Sequence, residues 1–150
     1  PVDIAYLPDN FAHDRKAGEK AIIKVIYGRP QKKGREVFGN LVKYDKVWRL
    51  GANEATEIKV YQDVIIGGKN LSAGTYALFA IPEKDKWTLI FNSDLDYWGA
   101  YSYKEENDVL RVDAKVSSSD SEIEAFSIRF QDGKMCMGWD KTVAEVDVSY

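Results

Sequence analysis

The sequence predicts an all-β domain, an antiparallel β-sandwich of roughly nine strands with an irregular N-terminal arm, and three observations carry that prediction. Apolar residues recur with period two and nowhere sustain a helical period. Turn dipeptides separate these runs at short intervals. Two runs, residues 75–81 and 87–91, are apolar on both faces, as strands covered on each side must be. The chain has 150 residues, 45% hydrophobic and 13% aromatic. About 68–70% of the unfolded surface can be buried at that length, so the core requires neither a metal nor disulfides.

Residues 1–19, with Pro1 and Pro8, lack strand alternation and are expected to form an arm packed on a single domain of residues 20–150. Residues 21–27 supply the first clear strand and residues 47–50 a short one. Ile58 and Val60 then alternate with Glu57, Lys59 and Tyr61. Gly67-Gly68 can take positive φ at both central positions of a two-residue hairpin. Residues 82–86 form a polar loop between the two most apolar strands. Residues 92–108 are long for a hairpin loop and carry Tyr97, Trp98, Tyr101 and Tyr103, and long structured loops are disproportionately functional. Leu110, Val112, Ala114 and Val116 mark a strand, residues 117–121 a flexible link, and Phe126, Ile128 and Phe130 another strand. Asp132-Gly133 turns the chain into the run 135–139, and Ala144, Val146 and Val148 mark the last strand. No βαβ spacing occurs. A sandwich is preferred to a ligand barrel, whose strands would alternate more uniformly.

Charge and composition narrow the function. The 21 basic and 24 acidic residues leave a net charge of −3 and a pI near 5.3, with no basic stripe, so no nucleic-acid partner is indicated. The longest apolar runs fall far short of the ~20 residues of a spanning helix. No basic start followed by an apolar stretch is present, so any signal peptide is expected to have been removed or never to have existed. Cys136, the single cysteine, cannot form an intramolecular bridge and reads as a small buried hydrophobe.

Three stretches carry candidate chemistry. Gly28-Arg29-Pro30-Gln31-Lys32-Lys33-Gly34-Arg35 concentrates four cations, and Arg29, Lys33 and Arg35 suit an anion-receiving turn. Such a turn can equally be a solvated one whose arginines pair with acids. Trp48-Arg49-Leu50-Gly51-Ala52-Asn53-Glu54-Ala55-Thr56 joins a large ring and a guanidinium to small residues and three polar groups, Asn53, Glu54 and Thr56. That combination lines ligand pockets, and it also builds structural corners, here through an Arg49–Glu54 pair. In Trp98-Gly99-Ala100-Tyr101-Ser102-Tyr103, Trp98 and Tyr101 offer a platform for a sugar or peptide, or fold the loop onto the sandwich. Asn92-Ser93-Asp94-Leu95-Asp96 begins like a calcium loop, but Tyr97 and Tyr103 stand where the glycine and the bidentate Glu belong. His13 alone cannot build a zinc site, no Gly-x-Ser-x-Gly elbow exists, and no cofactor is indicated.

In order along the chain, Tyr27-Gly28-Arg29-Pro30, Lys33-Gly34-Arg35, Val37-Phe38-Gly39, Val47-Trp48-Arg49, Gly51-Ala52-Asn53-Glu54-Ala55-Thr56, Leu71-Ser72-Ala73-Gly74-Thr75-Tyr76, Ile81-Pro82, Trp98-Gly99-Ala100-Tyr101 and Asp108-Val109-Leu110-Arg111 resemble a bacterial domain family of unknown function, common in Gram-negative genomes of the Bacteroidetes type. The likeness covers about residues 20–140. Family members often carry Ser at the position of Gly28 and Pro at those of Lys43 and Ser72, which implies that these positions are dispensable. The resemblance implies export to the periplasm or cell exterior and assigns no activity or catalytic residue.

The expected function is therefore an exported β-sandwich that binds a small or extended ligand: a glycan, a peptide or an anionic group. Arg29, Lys33, Arg35, Trp48, Arg49, Asn53, Glu54, Thr56, Trp98 and Tyr101 would converge on one site. Two rivals stand beside it. One is a structural or protein-interaction module whose polar motifs form an internal network. The other is a hydrolase using Glu54 with His13 or an Asp. Oligomeric state is open.

Overall fold

A computed structural model describes residues 1–14, 18–95, 100 and 103–150. Nine strands form one antiparallel sheet: β1 (Val2–Leu7), β2 (Ile23–Gly28), β3 (Thr56–Val60), β4 (Val64–Ile66), β5 (Lys69–Leu71), β6 (Gly74–Pro82), β7 (Lys86–Asn92), β8 (Asp108–Gln131) and β9 (Lys134–Ser149). Their spatial order is β1-β2-β3-β6-β7-β8-β9-β4-β5. The only helical pieces among the described residues are α1 (Phe11–Asp14) and a 3₁₀ turn at Glu105–Asn107.

The two strands with both faces apolar, β6 and β7, take the middle of the order, where cover on each side is available. Their inward residues, among them Leu78, Trp87, Leu89 and Phe91, join the main core. Their outward residues Ala77, Phe79 and Ile90 join Ala55 in a smaller cluster covered by Val47, Ile81, Ala100 and Tyr103. Both expected two-residue turns form, with positive φ at Gly67 (57°) and Gly68 (79°) and at Asp132 (52°) and Gly133 (73°).

The sheet bends so that its halves face each other across the core. Tyr27 on β2 meets Phe126 on β8 edge-on, with ring centroids 5.7 Å apart. One side of the sandwich is laced shut just past β2. Phe126 N–H donates to Pro30 O at 2.9 Å, Lys32 N–H donates to Glu124 O at 2.8 Å, and Gln31 pairs with Ala125.

Three expectations need correction. The N-terminal segment is not wholly irregular, because residues 2–7 form edge strand β1, antiparallel to β2. Its strand pattern was hidden because Val2 and Ile4 face outward and stay exposed. Residues 117–121 are no link: they lie inside the 24-residue β8, where Ser117 and Ser118 pair with Val143 and Thr142. The register then shifts, since β8 advances from Ser118 to Ile123 while β9 retreats only from Thr142 to Asp140, and such bulges bend a long strand. Residues 47–50 are not a strand either. Trp48 alone pairs, in an isolated bridge to Ala80 closed by hydrogen bonds of 2.7 and 2.9 Å.

Candidate functional site

The cation-rich turn divides between structure and exposure. Arg29 Nε donates to Phe126 O at 2.9 Å and its Nη2 to Ser127 Oγ at 2.8 Å, with Asp3 at 3.8 Å. It is a strand staple rather than an anion receiver, because these acceptors already occupy its fork. Lys33 is exposed in the left-handed region (φ 49°), and its backbone N–H donates to the Glu124 carboxylate at 2.9 Å. Lys32 is the buried cation of the turn, near Glu122 (3.4 Å) and Asp140 (3.9 Å). Arg35 folds back on the turn, donating from Nε to Lys32 O (2.8 Å) and from Nη2 to Gln31 O (2.7 Å).

The Trp48–Thr56 corner is held by its backbone. A Cβ on Gly28 would collide with the carbonyl oxygen of Ala52, and one on Gly51 would lie 2.9 Å from Gly28 O. The corner thus docks glycine against glycine on the end of β2, and Gly28 is a required close approach rather than a dispensable position. Leu50 (φ 52°) and Asn53 (φ 62°) both adopt the left-handed region. For Leu50 that conformation costs about 1–2 kcal/mol and is imposed by its burial in the core. Thr56 is 0% exposed, and its hydroxyl donates to Leu50 O at 2.7 Å. It fastens the corner and is not available to a ligand. Trp48, 9% exposed, belongs mainly to an aromatic core, stacked with Trp139 (6.1 Å, 18°) and edge-on to Phe38, Trp87 and Phe126.

The loop after β7 is tied at its base through Asp108. That carboxylate accepts from Tyr103 Oη at 2.7 Å, Arg111 Nε at 2.9 Å and Asn92 Nδ2 at 2.9 Å, while Arg111 Nη2 reaches the Tyr103 oxygen at 3.0 Å. Burial, followed by the Asp108 hydrogen bond, pushes the Tyr103 phenol up to about 12, so it stays a donor. The Tyr103 ring packs on Phe79 at 5.0 Å and places this end of the loop on the outer face of β6 and β7. Asn92 and Asp94, the opening of the calcium-like run, are engaged in the same framework: Asn92 Oδ1 accepts from Asp94 N–H, and an Asp94 oxygen accepts from Asn107 Nδ2. Trp98, Tyr101 and Asp96 lie outside the described residues.

Parts of the three stretches meet at one open cleft of about 450 Å³, lined by Arg35, Val47, Trp48, Arg49, Ala100 and Trp139 among others. No carboxylate is among its described lining residues. Arg49 lines it and holds one side-chain hydrogen bond among the described residues, Nε to Gly51 O at 3.3 Å. Asn53 and Glu54 are not there. They are exposed and line a separate cavity of about 280 Å³ with Val2, Ile26 and Glu57, so no Arg49–Glu54 ion pair forms among the described residues. The corner turns through Leu50–Asn53, and that reversal sends its two polar ends to opposite sides. Sequence spacing alone could not reveal the reversal. Trp139, missed as a site residue, reaches the cleft from β9 because its indole is fixed by Nε1–H donating to Glu124 O at 3.0 Å.

With this geometry in place, the comparison with protein families is informative: the profile of a protein family of unknown function, DUF2911, matches residues 9–148. The chain belongs to the DUF2911 family. No curated protein and no solved structure matches it. The match takes in nearly the whole sandwich, all of β1 and the last residue of β9 aside, so cleft, corner and loop all lie inside the family's domain. Among the described residues no group of three or more His, Cys, Asp or Glu is placed to hold a metal ion, and no helix is long and apolar enough to cross a membrane. His13 is exposed on α1, and neither the Arg49 cleft nor the Glu54 cavity counts it among its lining. The described lining of the Glu54 cavity thus contains neither His13 nor an Asp, the two partners the hydrolase expectation gave it.

Proposed function

We propose that this DUF2911 domain binds a ligand that joins an anionic group to an apolar or ring-shaped body, in the cleft between Arg35, Arg49 and Ala100. One observation carries the reading: Arg35 and Arg49 line a cleft that has no carboxylate among its described lining and whose apolar lining includes Leu41 and Val47 over the buried Trp48 and Trp139. Two arginines beside apolar residues, with no carboxylate among the described lining, favour a partner that supplies negative charge and buries carbon surface. The internal-scaffold reading accounts for Arg29, Thr56 and most of Trp48, whose groups have protein partners. It leaves Arg49 with a single carbonyl partner among the described residues. Function outside the cytoplasm, in the periplasm or at the cell exterior, is part of the proposal and is supported by the motif resemblance alone.

The test is calorimetric titration and thermal shift of the wild type against aromatic carboxylates, uronates and short acidic peptides. Binding is expected to raise the melting temperature, since a ligand at 100 times its Kd adds about 2.7 kcal/mol. Arg49→Ala should melt within a few degrees of wild type and bind at least tenfold more weakly, about 1.4 kcal/mol. If no compound binds, or if Arg49→Ala binds as wild type does, the cleft is not an anion site.

A further inference from the structure

We infer that the ligand of the Arg49 cleft is an aliphatic monocarboxylate, a single anionic head on a hydrocarbon chain, an inference that rests on the binding reading above. The lining selects that class. Besides Arg35 and Arg49, the described side chains of the cleft are Pro30, Leu41, Val42, Val47, Ala100 and two indoles. Guanidinium, indole and hydrocarbon groups share one property: none of them accepts a hydrogen bond. A ligand hydroxyl or amide N–H must donate, and no described side chain here can receive it. The backbone is also engaged. Pro30 O accepts from Phe126 N–H, Val42 O from Gly39 N–H, Trp48 O from Ala80 N–H, and Gly51 O from Arg49 Nε. A sugar or a peptide lying in the cleft would therefore face few free acceptors, whereas a hydrocarbon chain needs none.

The same residues favour a chain over an aromatic ring. Trp48 and Trp139 stack on each other, and Phe38, Trp87 and Phe126 stand edge-on to Trp48, so these indoles are largely spent within the core. The remaining wall is aliphatic, and Leu41 is its exposed member. The head count follows from the two arginines. Among the described residues Arg49 commits only Nε, so its terminal nitrogens can take both oxygens of one carboxylate. Arg35 already gives Nε to Lys32 O and Nη2 to Gln31 O. It also lines a neighbouring cavity with Glu36, Glu122 and Asp140, where Lys32 and Lys141 already pair with acids. A second negative charge reaching past Arg35 would meet those carboxylates, which disfavours a polyanion.

The experiment is calorimetric titration of butyrate, hexanoate and octanoate into the whole chain, with octanol, octanedioate, galacturonate and an acidic tripeptide alongside. Affinity should rise at least tenfold from butyrate to octanoate; full burial of each added methylene, ~0.8 kcal/mol, would give about fourfold per carbon. Octanol and octanedioate should each bind at least tenfold more weakly than octanoate. Leu41→Ala trims an exposed side chain and should flatten the length dependence while leaving butyrate affinity unchanged, whereas Arg49→Ala weakens every carboxylate. A flat length series, or tighter binding of galacturonate or the tripeptide than of octanoate, overturns the aliphatic class and leaves the anion cleft standing. Octanol binding as well as octanoate, or octanoate binding untouched by Arg49→Ala, overturns both readings. So does failure of every anion to bind.

Discussion

Arg29 fixes two strands with one side chain, about one-third exposed, whose guanidinium donates to the Phe126 carbonyl and the Ser127 hydroxyl. Arg29→Met should lower stability by about 2 kcal/mol, the loss of hydrogen bonds to a charged group, seen as a lower urea midpoint at unchanged slope. Cys136 shows a different effect of burial. Desolvation first, then the Glu145 carboxylate at 3.8 Å, pushes its thiol from 9.0 up to about 11. The folded thiol holds its proton more tightly than the unfolded one, so its stabilising contribution is complete below about pH 9 and is lost as pH rises towards 11. Urea unfolding at pH 8 and pH 10.5 should show a larger loss for wild type than for Cys136→Ala, and the native thiol should resist alkylation at pH 8. At this scale the sequence disclosed residue types and not their partners. Arg29 and Arg49 look alike in a linear reading. One meets β8 from the far end of the chain, and the other does not. Thr56 likewise reads as a site hydroxyl until the Leu50 carbonyl appears 2.7 Å away.

The loop that follows β7 shows what an element needs to stay in place. Asp108 gathers Tyr103, Arg111 and Asn92 at its base, while Tyr103 packs on Phe79, so Ala100 stands on the cleft wall. Asp108→Ala leaves three donors without their acceptor. It should cost about 2–3 kcal/mol and raise amide exchange in residues 103–107 well before that in β2 and β3, as hydrogen-exchange mass spectrometry would resolve. Elements defined by local chemistry were legible: the hairpins at Gly67-Gly68 and Asp132-Gly133 follow from residues that accept positive φ, and β6 and β7 from runs apolar on both faces. Elements defined by a distant partner were not. Ser117 and Ser118 resemble a linker in composition, yet β9 supplies a neighbouring backbone and keeps them in the strand. β1 is a strand because β2 is beside it, although its outward residues face solvent as a loop's would.

For the whole molecule, the cleft lies where the sheet bends round and meets itself. The turn after β2 is laced to the far half of β8, and Arg35, at the end of that turn, reaches both the cleft and the cavity beside it. Trp48 and Trp139, buried side chains from a corner and from β9, stack on each other beneath the same place. Of the residues expected to converge, Arg35, Trp48 and Arg49 line this cleft among the described residues, whereas Asn53 and Glu54 line another cavity. Which members of each stretch face inward required the reversal at Leu50–Asn53.

That lacing also sets a clock. The Arg29–Phe126 contact joins positions 97 residues apart, and closing a flexible loop of that length costs about 4 kcal/mol in chain entropy before any return. Local hairpins such as β6–β7 and β8–β9 can assemble first at small entropic cost, whereas the seam must wait for nearly the whole sheet. The cleft, built on that seam, is therefore expected to form late in folding, after the local hairpins.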